Sequence, residues 1–192
     1  ELAILEETLA DAYVTQRCRL VTVVGEPGVG KSRLIHEFLE EHESESVTLR
    51  GRCLSYGDAI TFWPIAEVVR MAAGIADEDS PETAQKRILD LVDPTDTERE
   101  QVAQRVAAAI GLTDAQVPVS ELFWGIRRLF EALAEDRPLI VLFDDIHDAA
   151  PTFLELIEHI ADLSRGAPIL LLCVARTELL DTQPGWGGGM LN

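Results

Sequence analysis

The residues best suited to chemistry form one glycine-rich stretch near the amino terminus. Its members fit the phosphate-binding pattern G-x-x-x-x-G-K-[ST] at every fixed position: Gly25, Glu26, Pro27, Gly28, Val29, Gly30, Lys31 and Ser32. Glycine allows positive φ angles and lets backbone N–H groups approach phosphate oxygens closely. Lys31 is expected to reach the β- and γ-phosphates of a nucleotide, and the Ser32 hydroxyl to ligate Mg²⁺. Together with Arg33, these residues form the predicted nucleotide site.

The sequence on either side of this stretch supports the same interpretation. Arg19 to Val24 is a short apolar run with β-branched residues, which predicts a buried strand. After the glycines, apolar residues recur at helical spacing (Leu34, Ile35, Phe38 and Leu39). A helix that begins near Lys31 would add its free N–H groups and its positive dipole end. The alternative is a glycine-rich turn that binds nothing, but strand, loop and helix follow in the order that phosphate binding requires.

Two adjacent acids form the second candidate site. Leu139 to Phe143 is a continuous apolar run, typical of a central parallel strand, and it ends in Asp144-Asp145. An Asp in this position downstream of a phosphate loop commonly anchors Mg²⁺, often through water, which is the role we predict for Asp144. We predict that Asp145 is the general base that polarises the attacking water. Taken without the phosphate loop, the pair would be read as a helix cap or a solvated turn.

Two basic residues extend this site. Arg176 follows the next apolar strand, Pro168 to Val174, where a guanidinium could sense a γ-phosphate. The alternative is a surface arginine that offsets the acidic charge of the chain. His147 could orient Asp145 or the attacking water, or it could cap the following helix, and the structural role is slightly favoured.

The order of the elements predicts an α/β fold with a parallel sheet. Val47 to Arg52 is the second strand, and only helices are predicted from Pro81 to Glu135. A parallel strand pair needs a single crossover, so we expect a helical insertion between the second strand and the Asp-Asp strand, at about 62–136. We expect one domain over 1–192, with 178–192 as a loop or linker.

Composition limits the classes of partner. The chain has 192 residues, is 47% hydrophobic and carries a net charge of −18. A surface this acidic repels a polyanion, so we expect no direct nucleic-acid binding, and no apolar run reaches the length of a membrane span. Three widely spaced cysteines, Cys18, Cys53 and Cys173, suggest reduced thiols in a cytoplasmic protein.

Four segments together resemble one family. GEPGVGKSRL, GRCLSYGDAITFWPI, PLIVLFDDIH and PILLLCVARTELLDTQPGWGGG, between Leu20 and Gly189, resemble the AAA-type, STAND-like ATPase modules of multidomain bacterial regulators. Such modules occur with LuxR-type helix-turn-helix domains or with adenylate/guanylate cyclase domains. The resemblance implies a P-loop NTPase with a three-layer αβα sheet ordered 5-1-4-3-2, Mg-ATP as ligand, and switching of attached effector domains. By position it implies phosphate and Mg²⁺ roles for Lys31 and Ser32, the Asp-Asp pair for Asp144 and Asp145, and a sensor role for Arg176.

The functional expectation follows from these parts. We expect Mg-ATP binding and slow hydrolysis that act as a conformational switch in a larger signalling or transcriptional regulator. The alternative is a nucleotide-gated interaction scaffold that binds ATP or ADP without hydrolysis, and a small-molecule kinase is a weaker third reading. Because the chain ends before a fifth strand and a helical lid, we expect an exposed edge at Arg19 to Val24, weak self-association and low turnover.

Overall fold

A four-stranded parallel sheet forms the centre of the computed structural model, which describes residues 1–54 and 61–187. The strands are β1 (Arg19–Val24), β2 (Val47–Arg52), β3 (Leu139–Asp144) and β4 (Ile169–Ala175). They lie in the order β1-β4-β3-β2, and every neighbouring pair is parallel. This confirms the predicted α/β fold and the 1-4-3-2 part of the predicted order. The two inner strands, β3 and β4, are the continuously apolar segments, as expected for strands covered on both faces.

Two helices cover one face of the sheet. These are α1 (Leu2–Thr15) and α2 (Lys31–Glu41). Phe38 of α2 is fully buried here, in a cluster that includes Ile140 and Leu170 from the inner strands. Because side chains alternate along a strand, the neighbours of those strand residues point to the opposite face.

Five further helices follow on the chain and contribute to the core on that opposite face. They are α3 (Trp63–Ala73), α4 (Pro81–Leu89), α5 (Arg99–Ala109), α6 (Val119–Leu133) and α7 (Pro151–Leu163). Val141, Phe143 and Leu171 of the sheet belong to this second core. The helices α3 to α6 separate β2 from β3 along the chain, which confirms the predicted helical insertion. Within the described ranges, no helix combines the length and apolarity that crossing a bilayer requires.

Glycine allows one close approach that positions the end of β2. A Cβ atom built on Gly51 would lie 2.3 Å from the backbone carbonyl oxygen of Pro64 in α3. Only glycine therefore fits at this contact without a shift of the backbone. The sequence between β2 and α3 also predicts a turn-rich loop with Gly57 and Asp58, and these two positions lie outside the described residues.

The segment after β4 differs from the predicted loop or linker. It contains α8 (Glu178–Thr182), whose Leu179 is only 1% exposed. Trp186 is also buried, and its indole N–H donates a hydrogen bond to the hydroxyl of Thr22 on β1 (2.9 Å). The prediction was wrong for 178–182, which form α8, and burial of two apolar side chains holds the segment against the core.

Candidate functional site

Three strand ends meet at one edge of the sheet. The phosphate loop continues from β1, Arg176 follows β4, and Asp144 ends β3. Since β4 lies between β1 and β3, the loop and the acids are about two strand spacings apart, roughly 10 Å. A hydrogen bond from the Gly25 N–H to the Ala175 carbonyl (3.3 Å) ties the start of the loop to the end of β4. The sheet thus brings together all of the predicted site residues.

The backbone of the phosphate loop depends on two glycines. Gly28 has a φ of 85° and Gly30 a φ of 102°, and a Cβ atom on either would meet nothing within 4 Å. The space next to both glycines is therefore open, and glycine is favoured there by the positive φ angles rather than by close packing. The helix α2 begins directly afterwards at Lys31 and has no side-chain hydrogen bond at its amino terminus. Its first N–H groups remain available to an anion, which the helix dipole favours.

The Lys31 side chain folds over the loop. Its ammonium donates hydrogen bonds to the backbone carbonyls of Gly25 (2.6 Å) and Glu26 (3.0 Å). Both partners are neutral, so a phosphate oxygen would form a stronger, charge-assisted bond with the same ammonium. The residues present therefore fit a phosphate group.

The two acids lie at a sharp turn. Asp145 has a φ of 55°, in the left-handed region that Asp tolerates better than most residues. Its N–H donates to the carboxylate of Asp144 (2.9 Å), and its carbonyl accepts from the N–H of Asp148 (2.9 Å). A single 3-10 turn, Ile146–Asp148, results. This turn ends β3, and it engages the carboxylate of Asp144 but leaves that of Asp145 to contacts outside the turn.

Arg52 is the site residue that sequence reasoning missed. Its guanidinium donates two hydrogen bonds, from Nε (2.9 Å) and Nη2 (2.7 Å), to one carboxylate oxygen of Asp145. This hydrogen bond is the main reason that the pKa of Arg52 is raised, and the negative charge of Asp145 adds to it. The signal that could have found Arg52 is its position, because it ends β2 opposite Asp144 in the register of the sheet.

Arg176 and His147 lie near the acids with few side-chain contacts of their own. Arg176 is exposed at the end of β4. The His147 side chain is 10% exposed, and its Nε2 lies 3.8 Å from a carboxylate oxygen of Asp148. Among the described residues it makes no hydrogen bond to Asp145, and the N-cap position of α7 is Ala150, with no side-chain cap hydrogen bond. The prediction that His147 caps α7 is therefore wrong.

Cys53 lies directly behind the acids without taking part in their chemistry. Its N–H donates to the Asp144 carbonyl (2.9 Å), and its side chain is buried. Burial, and secondarily the negative charge of Asp145, raises the pKa of this thiol to about 12. Cys53 is therefore a neutral packing residue at physiological pH and a poor nucleophile. All three cysteines are free and buried.

Comparison with known families agrees with this geometry. The model of the AAA ATPase domain family matches residues 1–172. The chain belongs to this family. A comparison with curated proteins found no match. Membership of this family supports nucleotide binding and hydrolysis as the activity of the domain.

Proposed function

We propose that this AAA ATPase domain binds Mg-ATP, hydrolyses it slowly, and acts as a conformational switch in a larger signalling or transcriptional regulator. One observation carries the proposal. A phosphate loop with an uncapped helix behind it shares a sheet edge with an Asp-Asp turn, and Arg176 directly follows the strand between them. Each part has a separate task in nucleotide chemistry, as follows.

Binding is the task of the loop at residues 25–33. Its backbone N–H groups and the amino terminus of α2 would surround the phosphates, and Lys31 would leave its two carbonyl partners to contact the β- and γ-phosphates. Mg²⁺ in such sites takes one or two protein oxygens and completes its shell with phosphates and water. Ser32 and Asp144 would supply those protein oxygens. The bound ion would neutralise phosphate charge and hold the β- and γ-phosphates in a defined geometry.

Hydrolysis is the task of Asp145, assisted by Arg176. Asp145 would accept a proton from a water molecule, and Arg176 would contact the γ-phosphate from the adjacent strand. The ion pair with Arg52 supports a slow rate, because the carboxylate that must take the proton already accepts two hydrogen bonds from a cation. An attacking water would have to compete with Arg52 for this oxygen, and it gains full access only when the pair separates.

The same ion pair favours a second candidate function. If Arg52 stays on Asp145 when nucleotide is bound, the domain is a scaffold that binds ATP or ADP and hydrolyses neither. The pair is partly exposed, with side-chain exposures of 65% and 26%, so water competes with it and separation is feasible. Its strength in the nucleotide complex decides between the two functions.

A single-turnover experiment separates them. Purified protein in excess over Mg-ATP is followed for phosphate release, in parallel with nucleotide binding measured by calorimetry. Slow release by the wild type, and none by Asp145→Asn with binding retained, supports the switch. Tight binding without release by the wild type supports the scaffold. Failure to bind Mg-ATP at all would contradict both.

Two further elements complete the proposal. Effector domains elsewhere in the same polypeptide, of the cyclase or helix-turn-helix type, would receive the signal, and the compartment would be the cytoplasm. In the described sheet β1 pairs with β4 alone, so its other edge can accept a strand, and we propose weak self-association there. Sedimentation at increasing protein concentration tests this; a monomer at every concentration would contradict it.

A further inference from the structure

A hydrogen bond connects the phosphate loop to the residue that opens α8. The hydroxyl of Thr177 donates to the carboxylate of Glu26, at 2.7 Å, across 151 residues of sequence. Thr177 occupies the N-cap position of α8, where a threonine hydroxyl often accepts a bond from its own helix. Here the side chain makes no such cap bond. Its hydroxyl donates to a residue of the phosphate loop instead.

Glu26 carries the only negative side chain within the phosphate loop, and the loop also contains Lys31. The Lys31 ammonium already reaches the Glu26 backbone, since it donates to the carbonyl of Glu26 at 3.0 Å. In the described part of the chain, however, the Glu26 carboxylate forms no ion pair with that ammonium. The carboxylate lies instead with Thr177, on the β4 side of the loop.

A Glu26–Lys31 ion pair would oppose nucleotide binding in two ways. It would occupy the ammonium that a phosphate must contact, and it would bring a negative charge toward incoming phosphate oxygens. Glu26 is exposed and its side chain has several rotatable bonds, so nothing but a specific partner keeps it in one position. The Thr177 hydroxyl is that partner.

We propose that Thr177 is a positioning residue for the phosphate loop, which keeps the carboxylate of Glu26 away from Lys31 and so leaves the ammonium free for nucleotide phosphates. This inference rests on the proposed function, because it assumes that the loop binds nucleotide. It assigns to Thr177 an effect on affinity that depends on the charge of Glu26, which a purely structural threonine would not have.

A double-mutant cycle measures that dependence. Calorimetry gives the Kd for Mg-ATP of the wild type, Thr177→Val, Glu26→Gln and the double variant. Valine keeps the shape of threonine and removes the hydroxyl. We expect Thr177→Val to weaken binding about two- to fivefold, the range of an exposed ion pair, and less at high salt because the competing pair is screened. In the Glu26→Gln background the same change should have no effect, since no charge remains to be positioned.

Two controls make the result specific. Thr177→Ser, which retains the hydroxyl, should bind as the wild type does. Thr182→Val, in the same helix, removes a hydroxyl that donates only to the Glu178 and Leu179 carbonyls, and it should not change the Kd. An equal loss from Thr177→Val in both backgrounds, or no loss in either, would overturn the inference while the proposed function stands. A wild type that does not bind Mg-ATP would overturn the proposed function itself.

Discussion

Arg52 ends β2 and Asp145 directly follows the neighbouring strand β3, and their side chains meet through two hydrogen bonds of 2.9 and 2.7 Å to one carboxylate oxygen. The pair joins the end of β2 to the proposed general base. If Asp145 is the general base, we expect this pair to restrain hydrolysis, and its partial exposure to make that restraint reversible.

Removal of this restraint should speed hydrolysis. We expect Arg52→Met to raise the single-turnover rate several-fold, because Asp145 is then free to accept a proton from water. Stability should change by less than about 1 kcal/mol, since exposed ion pairs contribute little. Arg50→Met is the matched control, two residues earlier on the same strand and exposed, and it should leave the rate unchanged. An unchanged or lower rate in Arg52→Met would contradict the restraint.

Nucleotide binding should depend on Lys31. We expect Lys31→Ala to weaken Mg-ATP binding by at least about tenfold, the value of a charged hydrogen bond, without unfolding the domain. Calorimetry measures the Kd, and circular dichroism checks the fold. Lys86, on α4, is the only other lysine of the chain, and Lys86→Ala should bind normally. Equal affinity of Lys31→Ala and the wild type for Mg-ATP would show that Lys31 does not contribute to nucleotide binding.

The role of Asp144 should appear as a dependence on Mg²⁺. Asp144→Asn retains an oxygen that can accept from the Asp145 N–H, so the turn after β3 should persist. It removes charge from the proposed metal shell, and we therefore expect weaker ATP binding in the presence of Mg²⁺ but the same binding in EDTA. Titrations under both conditions test this. A loss of the same size with and without Mg²⁺ would point to a structural effect instead.

The contact between Gly51 and Pro64 should be intolerant of a methyl group. We expect Gly51→Ala to lower the free energy of unfolding by about 1–3 kcal/mol, because its Cβ atom would lie 2.3 Å from a backbone oxygen that cannot move alone. Gly185→Ala is the control, since its Cβ atom would meet nothing within 4 Å. That variant should stay within about 0.5 kcal/mol of the wild type by urea unfolding. Equal stability of the two variants would show that β2 and α3 can separate at no cost.

Acid should destabilise the domain in part through His159. Burial, and secondarily the positive charge of Arg127, lowers the pKa of this imidazole below its ordinary value of 6.5, while Asp162 opposes the shift. As pH falls through 6.5 the unfolded chain takes up a proton that the folded chain resists, so stability is lost in that direction. We expect His159→Gln to lose less stability than the wild type between about pH 7.5 and 5.5. Urea unfolding at several pH values gives the slope of the unfolding free energy against pH for both proteins. Identical slopes would rule out His159 as a contributor.

Much of the site could be predicted from local sequence. Strands β1 and β2 have the predicted bounds, Arg19–Val24 and Val47–Arg52, and β4 lies one residue later than predicted. These strands can be predicted because each is a short apolar run next to a turn signal. The phosphate loop can be predicted because its pattern is contiguous and its glycines are required by the local backbone conformation. The position of the two acids at the same edge as the loop can also be predicted, because the strands of a parallel sheet place their carboxyl ends at one edge.

The partners of these residues could not be predicted. Arg52 meets Asp145 across 93 residues, and Thr177 meets Glu26 across 151. Whether such pairs form depends on which strands are neighbours, on their register and on side-chain rotamers, and none of these has a local signature in the chain. The sequence shows that an arginine ends β2, but only the sheet shows that it ends beside an acid.

The segment at 178–187 illustrates the same limit. Its glycines and proline favour a loop, and the sequence alone determined no more than that. The tertiary structure decided that Leu179 and Trp186 dock on the core and that the Trp186 indole bonds Thr22. The reason is physical: local propensities differ by a fraction of a kcal/mol per residue, whereas burial of one large apolar side chain contributes about 1.5–3 kcal/mol, and that surface exists only once the sheet has formed.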